Sequence, residues 1–278
     1  MNRAAAALFA AVAVLWGVPF ALVKLALEHG AEPLLIAWTR VAIGAAVLLA
    51  LAAARRRLRG LLAHAGTLVL IAVCDVAAPF TLVTLAQRDV PSSLAGILVA
   101  TTPLFVGALA AALDSRERPS ARGWTGLLVG FAGVVALLGL QLGGEPAAAG
   151  MLLLAAFGYA IATLLVRHLD DLDPLTISAV ALGVATALLA PGAAASLPTA
   201  ATSEAWTALA VLGVLSTGAA FAAYYLLIAE IGATRAAVSV YLAPVVSVLV
   251  GAIALDEPLR AGGVVGLALI LIGSWLAR

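Results

Sequence analysis

The chain has 278 residues, of which 64% are hydrophobic and 10% charged, and its mean hydropathy is +1.17. Soluble domains carry roughly 45–50% apolar and about 25% charged residues, so a water-soluble globule is excluded. Fifteen Lys and Arg against fourteen Asp and Glu leave a net charge of +1, which offers no electrostatic reason to bind nucleic acid, and the single Cys74 excludes an internal disulfide framework. What remains is an integral membrane protein.

In chain order, uncharged runs extend from Ala4 to Val23, Val90 to Leu113, Gly123 to Gly144, Pro146 to Val166, Ala205 to Ala229 and Ala236 to Leu255. Each is close to or above the ~20 residues that cross a bilayer as a helix. They are apolar on every face, whereas a membrane barrel strand alternates apolar and polar positions. The stretch after Arg3 is too long for the apolar region of a signal peptide and reads as an uncleaved first span. Cutting at polar and turn-forming clusters predicts about ten helices, near 4–27, 33–54, 61–86, 91–113, 121–142, 147–167, 173–191, 205–229, 233–254 and 259–277. Between Asp173 and Glu204, Pro191, Gly192 and Pro198 predict a helix followed by an uncharged outer loop.

With a cytoplasmic N-terminus, Arg3, Arg55, Arg56, Arg57, Arg59, Arg116, Arg118, Arg122, Arg167, Arg235 and Arg278 fall inside, and only Arg88 and Arg260 fall outside. This excess of inner positive charge predicts both termini in the cytoplasm of an inner-membrane protein. Arg55 to Arg59 then act as a topology determinant and an anchor to anionic lipid.

The two halves are self-similar. At an offset of 141, Gly17 pairs with Gly158, Pro33 with Pro174, Phe80 with Phe221, Leu85 with Leu226 and Pro103 with Pro244. At an offset of 140, Glu117 pairs with Glu257, Gly123 with Gly263, Gly126 with Gly266 and Gly133 with Gly273. Matched Pro, Glu and Gly in order point to a tandem duplication, with boundaries at 1–142 and 143–278 in one membrane domain. Five helices is an odd number, so the second copy enters the membrane from the opposite side. The expected fold is an all-α integral membrane protein with ten transmembrane helices as two inverted five-helix repeats, a transporter architecture.

The run Leu15-Trp16-Gly17-Val18-Pro19-Phe20 followed by Lys24, the pair Thr39-Arg40, and the segments Glu117-Arg118-Pro119 and Asp256-Glu257-Pro258 with their following glycines resemble the EamA-type transporters of the drug/metabolite transporter superfamily. The resemblance covers the whole chain. It implies a central cavity between the repeats and export of amino acids or other small metabolites.

Asp75 lies near the middle of the third predicted span, about 16 Å from an inner end near His64. A carboxylate there meets a proton, an amino group or a basic partner, so it is a substrate or proton contact, one half of a structural pair with Arg40 or Lys24, or a neutral acid hydrogen-bonded to a neighbouring helix. Arg40 lies ~10 Å below the outer surface. Its planar fork suits a substrate carboxylate or phosphate, or a structural clamp on Asp75 or on backbone carbonyls. Lys24, nearer the outer end, is a substrate candidate whose simpler role is to snorkel to the interface. Trp16, Trp38, Tyr159, Tyr225 and Tyr241 supply candidate aromatic faces and hydroxyls, together with Thr81, Thr84, Ser92, Ser93, Thr163, Tyr224 and Ser239; the alternative for each is interhelical hydrogen bonding. Pro19, Pro79, Pro103 and Pro244 predict helix breaks, as gating hinges or as plain kinks.

No phosphate-binding glycine loop with Lys and Ser/Thr is present, which excludes an ATP-driven pump in this chain. His29, His64 and His168 are scattered at span ends, so neither a metal site nor a cofactor is expected. The expected partners are the lipid bilayer and a small-molecule substrate, and the glycine-rich fifth and tenth spans suit either intramolecular packing or a homodimer face. Export of amino acids is the leading expectation. Efflux of cationic drugs against Asp75 is the alternative, and an intramembrane enzyme is disfavoured because no nucleophile and base converge at one depth.

Overall fold

The computed structural model describes residues 3–54, 61–90, 92–113, 117–138, 146–197, 199–243, 246 and 261–277, apart from the side chains of residues 92, 93, 261–264 and 267. The described residues are helical with short connections and contain no strand. Lipid offers no hydrogen bonds, so chains this apolar must satisfy their backbones internally, and helices do so segment by segment.

Among the described residues, seven helical runs are long and apolar enough to cross a membrane: Arg3–Glu28, Pro33–Ala54, Leu61–Ala86, Leu94–Leu113, Pro146–Arg167, Pro174–Ala195 and Ser203–Ile231. Within them the helices are α1 (Arg3–Trp16), α2 (Pro19–Glu28), α3 (Pro33–Ala54), α4 (Ala65–Ile71), α5 (Ala78–Ala86), α6 (Ser92–Val99), α7 (Thr102–Leu113), α9 (Pro146–Arg167), α10 (Pro174–Ala195), α11 (Ser203–Val211) and α12 (Ala220–Ile231). Three further α-helices are α8 (Ala121–Leu138), α13 (Ala233–Ala237) and α14 (Ala261–Leu276), and short 3-10 turns lie at Leu61–His64 and Val238–Tyr241. Leu128, Leu154, Leu188 and Leu271 stand exposed on the outside, an apolar surface matched to hydrocarbon.

Several runs are interrupted, each for an identifiable reason. Gly17 and Val18 separate α1 from α2, where Pro19 brings no N–H for the carbonyl one turn back. Pro103 likewise cannot serve Val99, and α6 ends there; the Thr102 hydroxyl donates to the Val99 carbonyl at 2.7 Å and the Thr101 hydroxyl to that of Leu98 at 2.6 Å. Pro79 has no N–H for the Asp75 carbonyl, and the chain widens just before it into a π-helical turn, Ala72–Ala77, in which the Ala78 N–H reaches back to Val73. A second π-helical turn, Leu212–Ala219, joins α11 to α12. Pro191, by contrast, ends nothing: α10 continues through it to Ala195, where the sequence predicts a loop. Its missing N–H costs the Ala187 carbonyl its usual partner, a loss that membrane helices tolerate without ending. Pro244 lies outside the described residues.

Connections gather at two ends. At one, Arg88 donates to Glu32 at 2.5 Å and the Thr202 N–H donates to the His29 carbonyl at 3.1 Å. At the other, His64 pairs with Asp171 at 2.7 Å, and Glu117 accepts from Arg167 Nε at 3.0 Å and from the Thr234 N–H at 3.1 Å. The Glu117 carboxylate thereby caps α13 from a distant part of the chain, and it lies against Gly232, whose φ of +86° favours glycine.

Packing is closest where glycines meet. The glycine faces of α8 and α14 meet within one chain and run antiparallel: a β-carbon on Gly126 would lie 2.7 Å from the Gly273 carbonyl oxygen, and one on Gly133 would lie 2.9 Å from that of Gly266. A β-carbon on Gly158 would lie 2.7 Å from the Cys74 carbonyl oxygen, so α9 approaches the first π turn backbone to backbone. α3 does the same to the second π turn through Gly44, 3.1 Å by the same measure from the Gly213 carbonyl oxygen.

Candidate functional site

Between these helices lies a cavity of about 210 Å³. Three of the interruptions contribute to its wall: Gly17 and Pro19 from the first break, Val99 and Thr102 from the second, and Asp75 from the first π turn. The lining reaches Val23, Gln87 and Gly96, which approach the end of the molecule carrying Arg88 and Glu32. Backbone irregularity in a membrane protein is tolerated where it faces protein or a polar cavity, and here it surrounds one.

Arg40 and Asp75 both line this cavity and are both buried, with relative exposures of 6% and 4%. They form no ion pair. Arg40 Nε donates to the Thr217 hydroxyl at 3.1 Å, and its guanidinium carbon stands 4.2 Å from the centroid of the Phe80 ring. An aromatic face and a hydroxyl thus stabilise the cation in place of a carboxylate. Asp75 Oδ2 accepts from the Tyr225 hydroxyl at 2.6 Å, a short, charge-assisted bond. Oδ1 of Asp75 and the two Nη nitrogens of Arg40 have no hydrogen-bond partner among the described residues. The cavity therefore holds one fixed cation and one carboxylate, each anchored from behind and each with free polar atoms.

Around them runs an aromatic wall. Trp16 packs on Tyr224 with centroids 4.7 Å apart and rings tilted by 53°, and meets Phe221 edge to face at 6.2 Å; Phe221 meets Phe80 edge to face at 5.8 Å. The Tyr224 hydroxyl shares a hydrogen bond with Thr163 at 3.1 Å. Tyr159 lines the cavity within the field of both Arg40 and Asp75.

Of the residues singled out in the sequence, Asp75, Arg40, Trp16, Tyr159 and Pro19 therefore share one cavity, with Tyr225 directly behind Asp75. Lys24 donates to the Gln87 carbonyl at 3.3 Å, Trp38 donates to the Thr186 carbonyl at 3.1 Å, and Tyr241 donates to the Leu127 carbonyl at 2.9 Å; none of the three lines the cavity. Pro79 acts from outside the lining, through the π turn that carries Asp75. Sequence reasoning missed Phe80, Phe221 and Thr217 as site residues. Phe80 and Phe221 carried a signal, the 141-residue offset that pairs them, and it went unused for the site. Thr217 carried none, being one hydroxyl among many in apolar helices.

The chain matches the EamA-like transporter family over residues 3–139 and again over residues 147–278, and it belongs to that family. It is a multi-pass membrane protein of a transporter family. Among its relatives, the uncharacterized inner membrane transporter YedA of Escherichia coli strain K12 is 29% identical over 260 residues, covering 88% of this chain and 80% of the relative. The uncharacterized transporter YvbV of Bacillus subtilis strain 168 is 27% identical over 96% of this chain and 88% of its own. An uncharacterized transporter of Archaeoglobus fulgidus is 25% identical over 94% of each. A solved crystal structure shares the fold with a TM-score of 0.80 at 23% identity, covering 100% of this chain and 98% of that one.

Proposed function

We propose that this protein is a secondary transporter that exports small metabolites, amino acids first among them, by alternating access through the cavity between two inverted five-helix repeats. The observation that carries the substrate reading is that Arg40 and Asp75 face one cavity without pairing. The Arg40 guanidinium rests on the Phe80 ring, five residues beyond Asp75, so the two charges face the cavity side by side without closing on each other. An α-amino acid carries its amine and carboxylate about 2.5 Å apart and offers each of the two charges a charge-assisted bond of ~2.8 Å. Drug-sized ligands occupy pockets of roughly 300–1,000 Å³, above the volume available here. The fixed charge of Arg40 also weighs against a lipophilic cation as substrate.

Ten spans in two repeats, 1–142 and 143–278, draw support from the tandem family match. The contacts agree with a two-fold relation: Gly126 meets Gly273 and Gly133 meets Gly266, an exchange of repeat partners, and Phe80 touches its own mate Phe221. α5 packs on α9 as α12 packs on α1. An inverted duplicate requires the antiparallel crossing of α8 and α14. Both termini in the cytoplasm is the orientation that the arginine distribution favours, and it makes the end near Gln87 the outer one.

Purified protein in liposomes, assayed with a broad panel of labelled amino acids, tests the reading. Flux of at least one zwitterion is expected, lowered by about tenfold or more in Asp75→Asn, which keeps the shape and loses the charge. Absence of flux for the whole panel from folded protein would overturn it. Flux of organic cations, abolished by Asp75→Asn, would favour drug efflux instead.

A further inference from the structure

Both charges of the cavity come from the first half of the chain, yet each is gripped by a hydroxyl from a single helical run in the second half, Ser203–Ile231. Thr217, in its π turn, accepts from Arg40 Nε, and Tyr225, eight residues on, donates to Asp75 Oδ2. Both residues are fully buried and neither lines the cavity. Their effect is directional. With Oδ2 occupied, Asp75 presents Oδ1; with Nε occupied and the guanidinium face on Phe80, Arg40 presents its Nη edge. Left alone, neither group has a fixed aim, because the terminal torsion of aspartate is broad and arginine is rich in rotamers. Both hydroxyls ride on one helical run, so that run sets the spacing between the two charges.

We propose that Thr217 and Tyr225 are positioning residues that fix the distance and direction between the Arg40 and Asp75 charges, and so select substrates whose amine and carboxylate are separated by one carbon over isomers with a longer spacer. This inference rests on the amino-acid reading above. A bound geometry loosened by about 1 Å costs a site much of its discrimination.

The test uses the full chain in liposomes and an α-amino acid that the wild type moves, in competition with ω-amino acids of equal carbon number. Thr217→Val and Tyr225→Phe remove one hydroxyl each at nearly constant shape. Each is expected to raise KM for the α-amino acid about tenfold, the loss of one hydrogen bond to a charged group, with maximal rate within about twofold and the preference for the α over the ω isomer narrowed to match. Thr217→Ser, which keeps the hydroxyl, is expected to retain the wild-type preference. A merely structural role would lower the rate or the folded fraction equally for both isomers and leave the preference unchanged. The proposal is overturned if Thr217→Val and Tyr225→Phe, each melting in a single transition, keep the wild-type preference within about twofold; Thr217→Ala substitutes if the valine variant does not fold. A wild type that moves no amino acid removes the transport reading first and this inference with it, so the wild-type arm separates the two failures.

Discussion

A buried guanidinium and a buried carboxylate in one cavity attract by about 4 kcal/mol at 4 Å and an effective dielectric of 20, so an unpaired arrangement needs local competitors. Arg40 has Thr217 and the Phe80 face, and Asp75 has Tyr225. These two charges were legible in the sequence because a charge inside an apolar run is costly and rare. The groups that hold them were not, since a threonine or a tyrosine in a membrane helix is ordinary until its partner is known. Lys24 stands differently: it does not line the cavity, and its ammonium donates to the carbonyl of Gln87, a residue at the cavity's edge. Lys24→Met is therefore expected to leave the substrate KM within about twofold in liposome uptake. A rise of tenfold or more would return Lys24 to the site.

At the scale of elements, the prolines matter through the carbonyls they strand. Pro103 ends α6, and two threonine hydroxyls close the freed carbonyls, so that break needs neither water nor ligand to be stable. Pro79 widens the preceding turn, which turns Asp75 into the cavity and brings its neighbour Cys74 against Gly158. Pro79→Ala restores an N–H for the Asp75 carbonyl and removes the reason for the π turn. The expected variant melts at or above the wild-type temperature in detergent, because proline in a helix interior costs about 3 kcal/mol, yet transports several-fold more slowly because Asp75 is turned. Unchanged transport would mean that the π turn is held by Gly158 packing alone. Breaks at Pro19, Pro79 and Pro103 could be anticipated from composition; which of them would widen, and that Pro191 would break nothing, depended on the neighbouring helices.

At the scale of the molecule, α8 and α14 lock the chain through glycines whose missing side chains are filled by the opposite backbone. Gly273→Leu forces those helices apart and is expected to cost about 1–3 kcal/mol or more, read as a lower melting temperature in detergent. Gly150→Leu, at a position with nothing within 4 Å, should melt like the wild type. Equal melting of the two variants would deny the glycine contact its role.

The sequence by itself determined the solvent, the helical class and the rare intramembrane charges, because hydrocarbon penalises each exception so heavily that composition and spacing record it. It also carried the 141-residue echo between the halves. Only the tertiary structure decided that Arg40 and Asp75 share a cavity unpaired, that Trp38 and Tyr241 lie outside its lining and donate to backbone carbonyls, and that a single run, Ser203–Ile231, grips both charges. Those outcomes depend on which faces meet across long stretches of chain, 114 residues for Tyr241 and Leu127 and 177 for Arg40 and Thr217, and in an interior where nearly every face is apolar the local pattern leaves that choice open; hydrogen bonds and glycine contacts make it.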